Sequence, residues 1–421
     1  MSCLLFRLSV IRFAVLLALG VMTGLSNLTT STWAVSVPPP AYSLDLRQHS
    51  ITIHNTGDAA NQINSALTYL VNRSDQDTPW TVRFDGGKYV LNRTIGANYL
   101  KNVTLLSDRK SPAILVKGSN FASEYLFYTR FSQNVSIKGF DFYGLSRVYN
   151  PNNYLPGSTV RVWNDQGLYF GSSNGVVVNM NRFFSFGNAA VRITTTERDP
   201  VRGVNSFNSE VTQNYFNNVF QVTTTSNDSI HGGSANYLFQ GNTFDDLRGS
   251  VKFASRTAGA TNVTIRHNNI RSSSTDGLEI VGYVNMDISN NTFQNIARNA
   301  INCYSNGLAT TGFQWGDNLT FRNNIVNNTG GGFRFSADAY ADGFMPVPAN
   351  VTFSNNRFSN LTGNAPVITL LKSSFPGLTI TDNTFSNIPS KKYVYLQQQS
   401  PNMTFANNKA ESQLLTSMDR L

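Results

Sequence analysis

The stretch Asn285–Phe293, Asn-Met-Asp-Ile-Ser-Asn-Asn-Thr-Phe, recurs along most of the chain. Asn262–Ile270, Asn318–Val326, Asn350–Phe358, Gly377–Phe385 and Asn402–Ala410 repeat it at the same offsets. Looser copies stand at Gly175–Phe183, Asn208–Phe216 and Asn236–Phe244. Each copy alternates apolar and polar residues, passes a polar residue and an Asn, and alternates again. Period-two alternation is the mark of a β-strand. One such unit repeated many times is the mark of a solenoid.

One Asn per unit tracks the register: Asn181, Asn214, Asn242, Asn268, Asn291, Asn324, Asn356, Asn383 and Asn408. The spacing of about 23 to 33 residues suits one β-helical coil and is too short for a propeller blade. Coils stack at about 4.8 Å, close enough for one Asn amide to bond the next. Asn also tolerates the left-handed backbone of a tight bend. These residues therefore read as a structural ladder inside a turn, with no catalytic role.

A chain of 421 residues is long enough for two or three ordinary domains. The continuous repeat argues instead for one elongated domain. Residues 1–34 have the form of a secretory signal: Arg7 and Arg12, an apolar run Phe13–Leu25 too short to span a bilayer, and small residues before Ala34. No later segment is apolar enough to span a membrane. The expected location is secreted, periplasmic or cell-envelope. Cys3 would leave with the signal, so Cys303 stands alone without a disulfide partner and reads as a buried small hydrophobe. Beyond residue 34, 31 basic residues face 24 acidic ones, a net of about +7. That balance suits an anionic partner such as an acidic polysaccharide. Nucleic acid is disfavoured, since no Lys/Arg run is present. A monomer is expected.

Residues 35–50 read as a linker and 51–100 as an N-terminal cap with the first coil. Ala59–Arg73 is an amphipathic helix with Ile63, Leu67, Leu70 and Val71 on one face and Asp58 as its cap. Trp80–Leu91 reads as strand, turn, strand. The solenoid proper spans 101–410, and 411–421 is a tail or C-terminal cap. The capping helix opened by Gly57-Asp58-Ala59-Ala60, the stretch Val82-Arg83-Phe84-Asp85-Gly86-Gly87-Lys88-Tyr89-Val90-Leu91 and then Asn102-Val103-Thr104-Leu105 resemble the start of pectate-lyase-like right-handed parallel β-helix proteins. With the Asn ladder, the resemblance covers roughly residues 50–410. It implies an all-β, single-stranded right-handed parallel β-helix. It leaves activity open, because that superfamily holds lyases, epimerases, hydrolases and phage tailspikes.

Each coil should carry a third strand: Ala190–Thr194, Phe220–Thr224, Val251–Ala254, Leu278–Val281, Ile301–Tyr304, Phe333–Ser336 and Val394–Gln397. Long, variable segments follow several of them (197–204, 226–234, 254–261, 306–317 and 337–348) and would wall a groove. Alternation places one outward row at Arg192, Gln221, Lys252, Glu279, Asn302 and Arg334. A second row holds Thr194, Thr223, Ala254, Val281, Tyr304 and Ser336. The strip is polar and net basic, as a long anionic sugar chain requires.

Elimination or epimerisation of a uronate needs a base for the proton beside the sugar carboxylate and a cation for the charge that develops on it. Lys252 and Arg256 fit those roles by type. Tyr304 or His231 offers a further acid or base. Arg192, Gln221, Glu279, Asn302 and Arg334 would hold the chain. The resemblance to β-helix lyases, which use Lys or Arg bases and often calcium, favours this reading, although no motif of a named lyase family and no Asp-Pro-His of mannuronan epimerases is present. No cofactor is required by the sequence. Glu279 with Asp276 offers too few oxygens for a claimed calcium site. Ser274-Thr275-Asp276-Gly277 resembles the Asn-Thr-Asp-Gly of polygalacturonase-type hydrolases, but that family's paired Asp, Gly-His-Gly and Arg-Ile-Lys are missing, and Asp276 reads as a turn residue. Hydrolysis needs two carboxyl groups about 5–9.5 Å apart, and the rows display one. A non-catalytic carbohydrate-binding or envelope protein is the alternative reading, with Lys252–Glu279 as a cross-coil ion pair. Hydrolase ranks third. The Asn-x-Thr triplets at Asn102, Asn262, Asn318, Asn350 and Asn402 recur with the coil and carry little evidence for glycosylation.

Overall fold

The computed structural model describes residues 42–145, 151–194, 207–226, 235–255, 261–282, 284–305 and 315–416. The expected signal lies outside them. Among the described residues no helix is long and apolar enough to cross a membrane.

Successive coils stack in parallel. The first strands run from Trp80–Phe84 through Lys101–Ser107 and Gln133–Lys138 to Thr404–Ala406. The second strands run from Gly87–Leu91 to Lys409–Ala410. The third include Tyr125–Arg130, Gln166–Gly171, Ala189–Thr194, Gln221–Ser226, Val251–Ser255 and Leu278–Val281, and end at Val394–Leu396. In two coils the second and third strands merge, as Thr292–Tyr304 and Ile325–Ser336. The result is a parallel β-helix whose core is the inside of the stack.

Identical positions meet themselves one coil on. Phe183 pairs in register with Phe216, and Phe216 with Phe244. Their rings lie 4.9 and 4.6 Å apart and almost parallel. Phe321 and Phe353 repeat this at 4.8 Å. Alternation thus becomes a continuous apolar column.

The Asn ladder closes the turn between first and second strands. Asn268 Oδ1 accepts the backbone N–H of Asn242 at 2.9 Å and its Nδ2 at 3.0 Å, while Asn242 Nδ2 also donates to the Val211 carbonyl at 2.8 Å. Asn181 through Asn408 are all buried and share this pattern. A buried amide left unpaired would cost about 1–3 kcal/mol, so stacking satisfies in common what each alone could not. The left-handed position is not the ladder Asn but the residue before it: Met180, Gln213, His267, Asn290, Asn323, Asn355, Asp382 and Asn407 have φ between 54° and 60°. That corrects the expectation from sequence. The side chain that needs freedom to bend precedes the one that bonds.

The helix spans Ala59–Asn72, with Asp58 accepting the Asn61 N–H at 3.1 Å. Ile63, Ala66, Leu67 and Leu70 are buried within the apolar core. Tyr42–Asp45, placed in the linker by sequence, is instead a strand, antiparallel to Ser50–Ile53. Gln413–Leu414 similarly folds back antiparallel on Lys409–Ala410.

One irregular segment matters for the third-strand face. Residues 151–165 are fastened to the coils by Arg248, whose fully buried guanidinium donates to the carbonyls of Asn153, Val160 and Phe186 at 2.6, 3.1 and 2.9 Å. Asp165, also fully buried, accepts from the Leu145 N–H, the Tyr154 hydroxyl and the Gly187 N–H. It pairs with the buried Lys117 at 3.1 Å. Burial pushes the Lys117 ammonium down, and the Asp165 charge opposes this.

Candidate functional site on the third-strand face

The observed register defines the outward row: Tyr128, Tyr169, Arg192, Thr223, Lys252, Glu279, Asn302, Arg334, Thr369 and Tyr395. Lys252, Glu279, Asn302 and Arg334 are consecutive, as the alternation predicts. Gln221 is not in the row. It pairs with Ala189, and an irregularity between Ala189 and Val191 shifts the strand so that Thr223 meets Arg192 and Lys252. Thr225 takes the place assigned to Thr223 in the second row, between Thr194 and Ala254. Gln221 is buried and donates to Asn188 Oδ1 at 3.1 Å. Phe220, placed by sequence at the start of this strand, lies under the Arg161 and Arg248 guanidinium groups, 5.7 and 5.9 Å from its ring.

Glu279 is the centre of the strip. Its carboxylate accepts from Lys252 Nζ at 2.7 Å, from Ser250 Oγ at 2.9 Å, and from the Tyr304 hydroxyl of the following coil. Burial pushes this carboxyl up, but the Lys252 charge and the three hydrogen bonds outweigh it, so it sits below the usual carboxylate range. Tyr304 moves the opposite way: burial, then the hydrogen bond and charge of Glu279, hold its hydroxyl well above the ordinary phenol value. The bond between them therefore keeps Glu279 ionised and Tyr304 protonated.

Asp276 accepts the Asn299 N–H and Nδ2 on one oxygen at 2.9 and 3.0 Å, and Asn302 Nδ2 on the other at 3.1 Å. Both oxygens are committed to asparagines of the strand Thr292–Tyr304. Arg334 Nη1 donates to Asn302 Oδ1 at 3.1 Å. Arg192 Nε is buried with no hydrogen-bond partner among the described residues. Cys303 is buried, and burial raises its thiol.

Arg256 and His231 lie outside the described residues, as do most of the segments expected to wall the groove. Among the described residues no three His, Cys, Asp or Glu gather to hold a metal ion. Other concavities exist away from this face: about 710 Å³ beside Arg83, Arg109 and Lys138, and about 670 Å³ beside Lys88, Tyr143 and Phe184. Neither is lined by a residue of the third-strand row.

Residues 230–410 match the family model described as a right handed beta helix region. The chain folds as a right-handed parallel β-helix. This β-helix is similar to the surface adhesin PfbA of Streptococcus pneumoniae, with a TM-score of 0.60 and 13% identity over 85% of this chain and 89% of that one. It is similar also to a hyperthermoactive exopolygalacturonase of Thermotoga maritima (TM-score 0.53, 13% identity, 85% and 91% covered). A Family 28 exopolygalacturonase of Yersinia enterocolitica gives 0.54, with 13% identity over 87% and 75%. No curated protein matches by sequence. At these identities the likeness is one of fold.

Three features of the β-helix escaped sequence reasoning. Ser250 lies one residue before its strand, where alternation says nothing. Tyr128 and Tyr169, stacked at 4.9 Å, continue the row through coils without the Asn motif. Arg161 precedes the strand Gln166–Gly171, in a segment with no periodicity to read. Its partner Trp163 lies in the same segment.

Proposed function

We propose that the third-strand face binds a uronate-containing acidic polysaccharide and carries out β-elimination or C5 epimerisation on it. The observation that supports this most is the carboxylate of Glu279 gripped by Lys252, Tyr304 and Ser250 within a row that is otherwise cationic or neutral.

The roles are assigned from the contacts around Glu279. The sugar carboxylate draws Lys252 away from Glu279 and is neutralised by it, which acidifies the C5 proton. Losing Lys252 raises the basicity of Glu279 at the moment it is needed. Glu279 takes the C5 proton. In elimination, the electron pair forms the C4–C5 double bond, the C4–O4 bond breaks, and O4 takes the Tyr304 proton. Glu279 then returns its proton to the Tyr304 oxygen along their hydrogen bond. In epimerisation, the Tyr304 hydroxyl gives its proton to the opposite face of C5, and Glu279 then returns the abstracted proton to the Tyr304 oxygen. Arg192 and Arg334 hold neighbouring carboxylates. In this reading Lys252 serves as the cation rather than the base first assigned to it, because its ion pair with Glu279 puts a carboxylate beside it to act as base. Arg256 and His231 stay as expected contributors beside this centre. Export and an envelope or extracellular location belong to the same proposal.

A second reading, binding without turnover, is favoured by the same Lys252–Glu279 pair, which is also a sound cross-coil ion pair. Hydrolysis is less supported, since both oxygens of Asp276 are held by Asn side chains.

The test is incubation of the full chain with pectate, alginate, chondroitin and heparin-like polymers, with and without calcium. Ultraviolet absorbance of unsaturated uronate and new reducing ends are followed together. Both rising supports elimination. New ends alone point to hydrolysis. Neither signal, with exchange of the C5 proton for solvent deuterium, identifies epimerisation. Binding with no exchange leaves the second reading.

A further inference from the structure

Trp163 is 64% exposed, on a segment that is otherwise tightly held. The guanidinium of Arg161 lies 3.9 Å from the centre of its ring. Arg161 is fixed in turn: its Nε donates to Asn188 Oδ1 at 2.8 Å, and Asn188 Nδ2 donates to the Trp163 carbonyl at 3.1 Å. The Val162 N–H bonds the Gly187 carbonyl at 2.7 Å. Asn188 directly precedes the strand Ala189–Thr194 that carries Arg192. The Trp163–Arg161 pair is therefore mounted at the edge of the third-strand face. The protonated form of Arg161 is pushed down to about 10, first by burial and then by the like charge of Arg192, with Glu279 and Glu124 opposing. The same groups that line the groove thus act electrostatically on the cation beneath the indole.

The cation–π contact itself stabilises the segment, yet it leaves most of the indole surface in water. Burial would stabilise it and is not used. Arg248 and Asp165 nonetheless hold its segment in place with buried charged hydrogen bonds. A flat aromatic face suits the C–H face of a pyranose ring, and the cations Arg161 and Arg192 suit the carboxylate that a uronate ring carries at its rim.

We infer that Trp163, backed by Arg161, is a sugar-stacking subsite at the Arg192 end of the groove, which takes one uronate ring of the bound polymer. This rests on the groove reading above and adds to it a pre-built position for one sugar.

The probes are acidic oligosaccharides from pectate and alginate, titrated against the full chain at low and high salt. Trp80 and Trp315 are buried and the fourth tryptophan is removed by Trp33→Phe in every protein tested, so acrylamide quenching of intrinsic fluorescence reports mainly on Trp163. Expected are shielding of the indole by ligand, affinity weakened about tenfold or more in Trp163→Ala at both salt concentrations, and only a small change in Trp163→Phe. Arg192→Ala, by contrast, should lose mainly the salt-sensitive part of binding. Thermal melts of each variant confirm an intact fold. If Trp163→Ala binds as the parent while Arg192→Ala and Lys252→Ala weaken binding, the subsite is overturned and the groove reading stands. If the parent binds no acidic oligosaccharide, the groove reading fails and the subsite with it.

Discussion

Tyr304 donates its hydroxyl proton to Glu279 across two neighbouring coils. Proton affinity is displaced in opposite directions at the two ends of that bond. Replacing Glu279 by Gln keeps its shape and removes its basicity. Turnover on the substrate found by the polymer screen should fall by about 10²–10⁴, with KM nearly unchanged. Tyr304→Phe should act on kcat in the same direction. Lys252→Ala should raise KM as well as lower kcat, since its charge meets substrate in the ground state. An enzyme whose kcat ignores Glu279→Gln does not use this centre.

The pH dependence of stability has a definite sign. The folded-state affinity of Glu279 for a proton is below its unfolded one. Its contribution to stability is therefore complete above the unfolded value, near 4.3, and is lost as pH falls through the lower folded value. Urea denaturation at stepped pH should show the parent losing stability more steeply than Glu279→Gln from about pH 5 downward. Parallel curves would mean that Glu279 has no net coupling to folding.

Asn291 sits within the ladder. It accepts the Asn268 N–H and Nδ2 and donates to the Ile265 carbonyl. Asn291→Ala strands those groups in the core. The expected loss is on the order of 3 kcal/mol, read as a shift in the urea midpoint. A loss below about 0.5 kcal/mol would mean that the turn relaxes or admits water.

Cys303 is inert as folded, since the thiolate is the reactive form and burial disfavours it. A thiol alkylating reagent should leave the Cys303 peptide unmodified in native buffer and modify it fully in denaturant, as mass mapping would show. Fast native labelling would place this face open to solvent.

The repeat made the fold legible because each coil must satisfy the same constraints as the one below it. Alternation located the third strands, and with them Lys252, Glu279, Asn302 and Arg334. Gln221 was misread because Phe220 is apolar without being core: two guanidinium groups use its ring. Nothing local in sequence distinguishes a phenylalanine covered by arginines from one facing its own kind. Arg161 and Trp163 were unreadable as site residues for a related reason. Their positions come from Asn188 and Arg248, distant in sequence, and not from any period.

The two ends of the stack reverse direction, Tyr42–Asp45 against Ser50–Ile53 and Gln413–Leu414 against Lys409–Ala410. Each terminal ribbon presents a hydrogen-bonding comb of the opposite sense to the one that built the coils. A second molecule arriving end-on meets, at those strands, an edge that runs against the direction of the coils. At those two strands the parallel copying of one rung on the next is broken, so near-identical rungs meet a reversed strand on one side of each end of the stack.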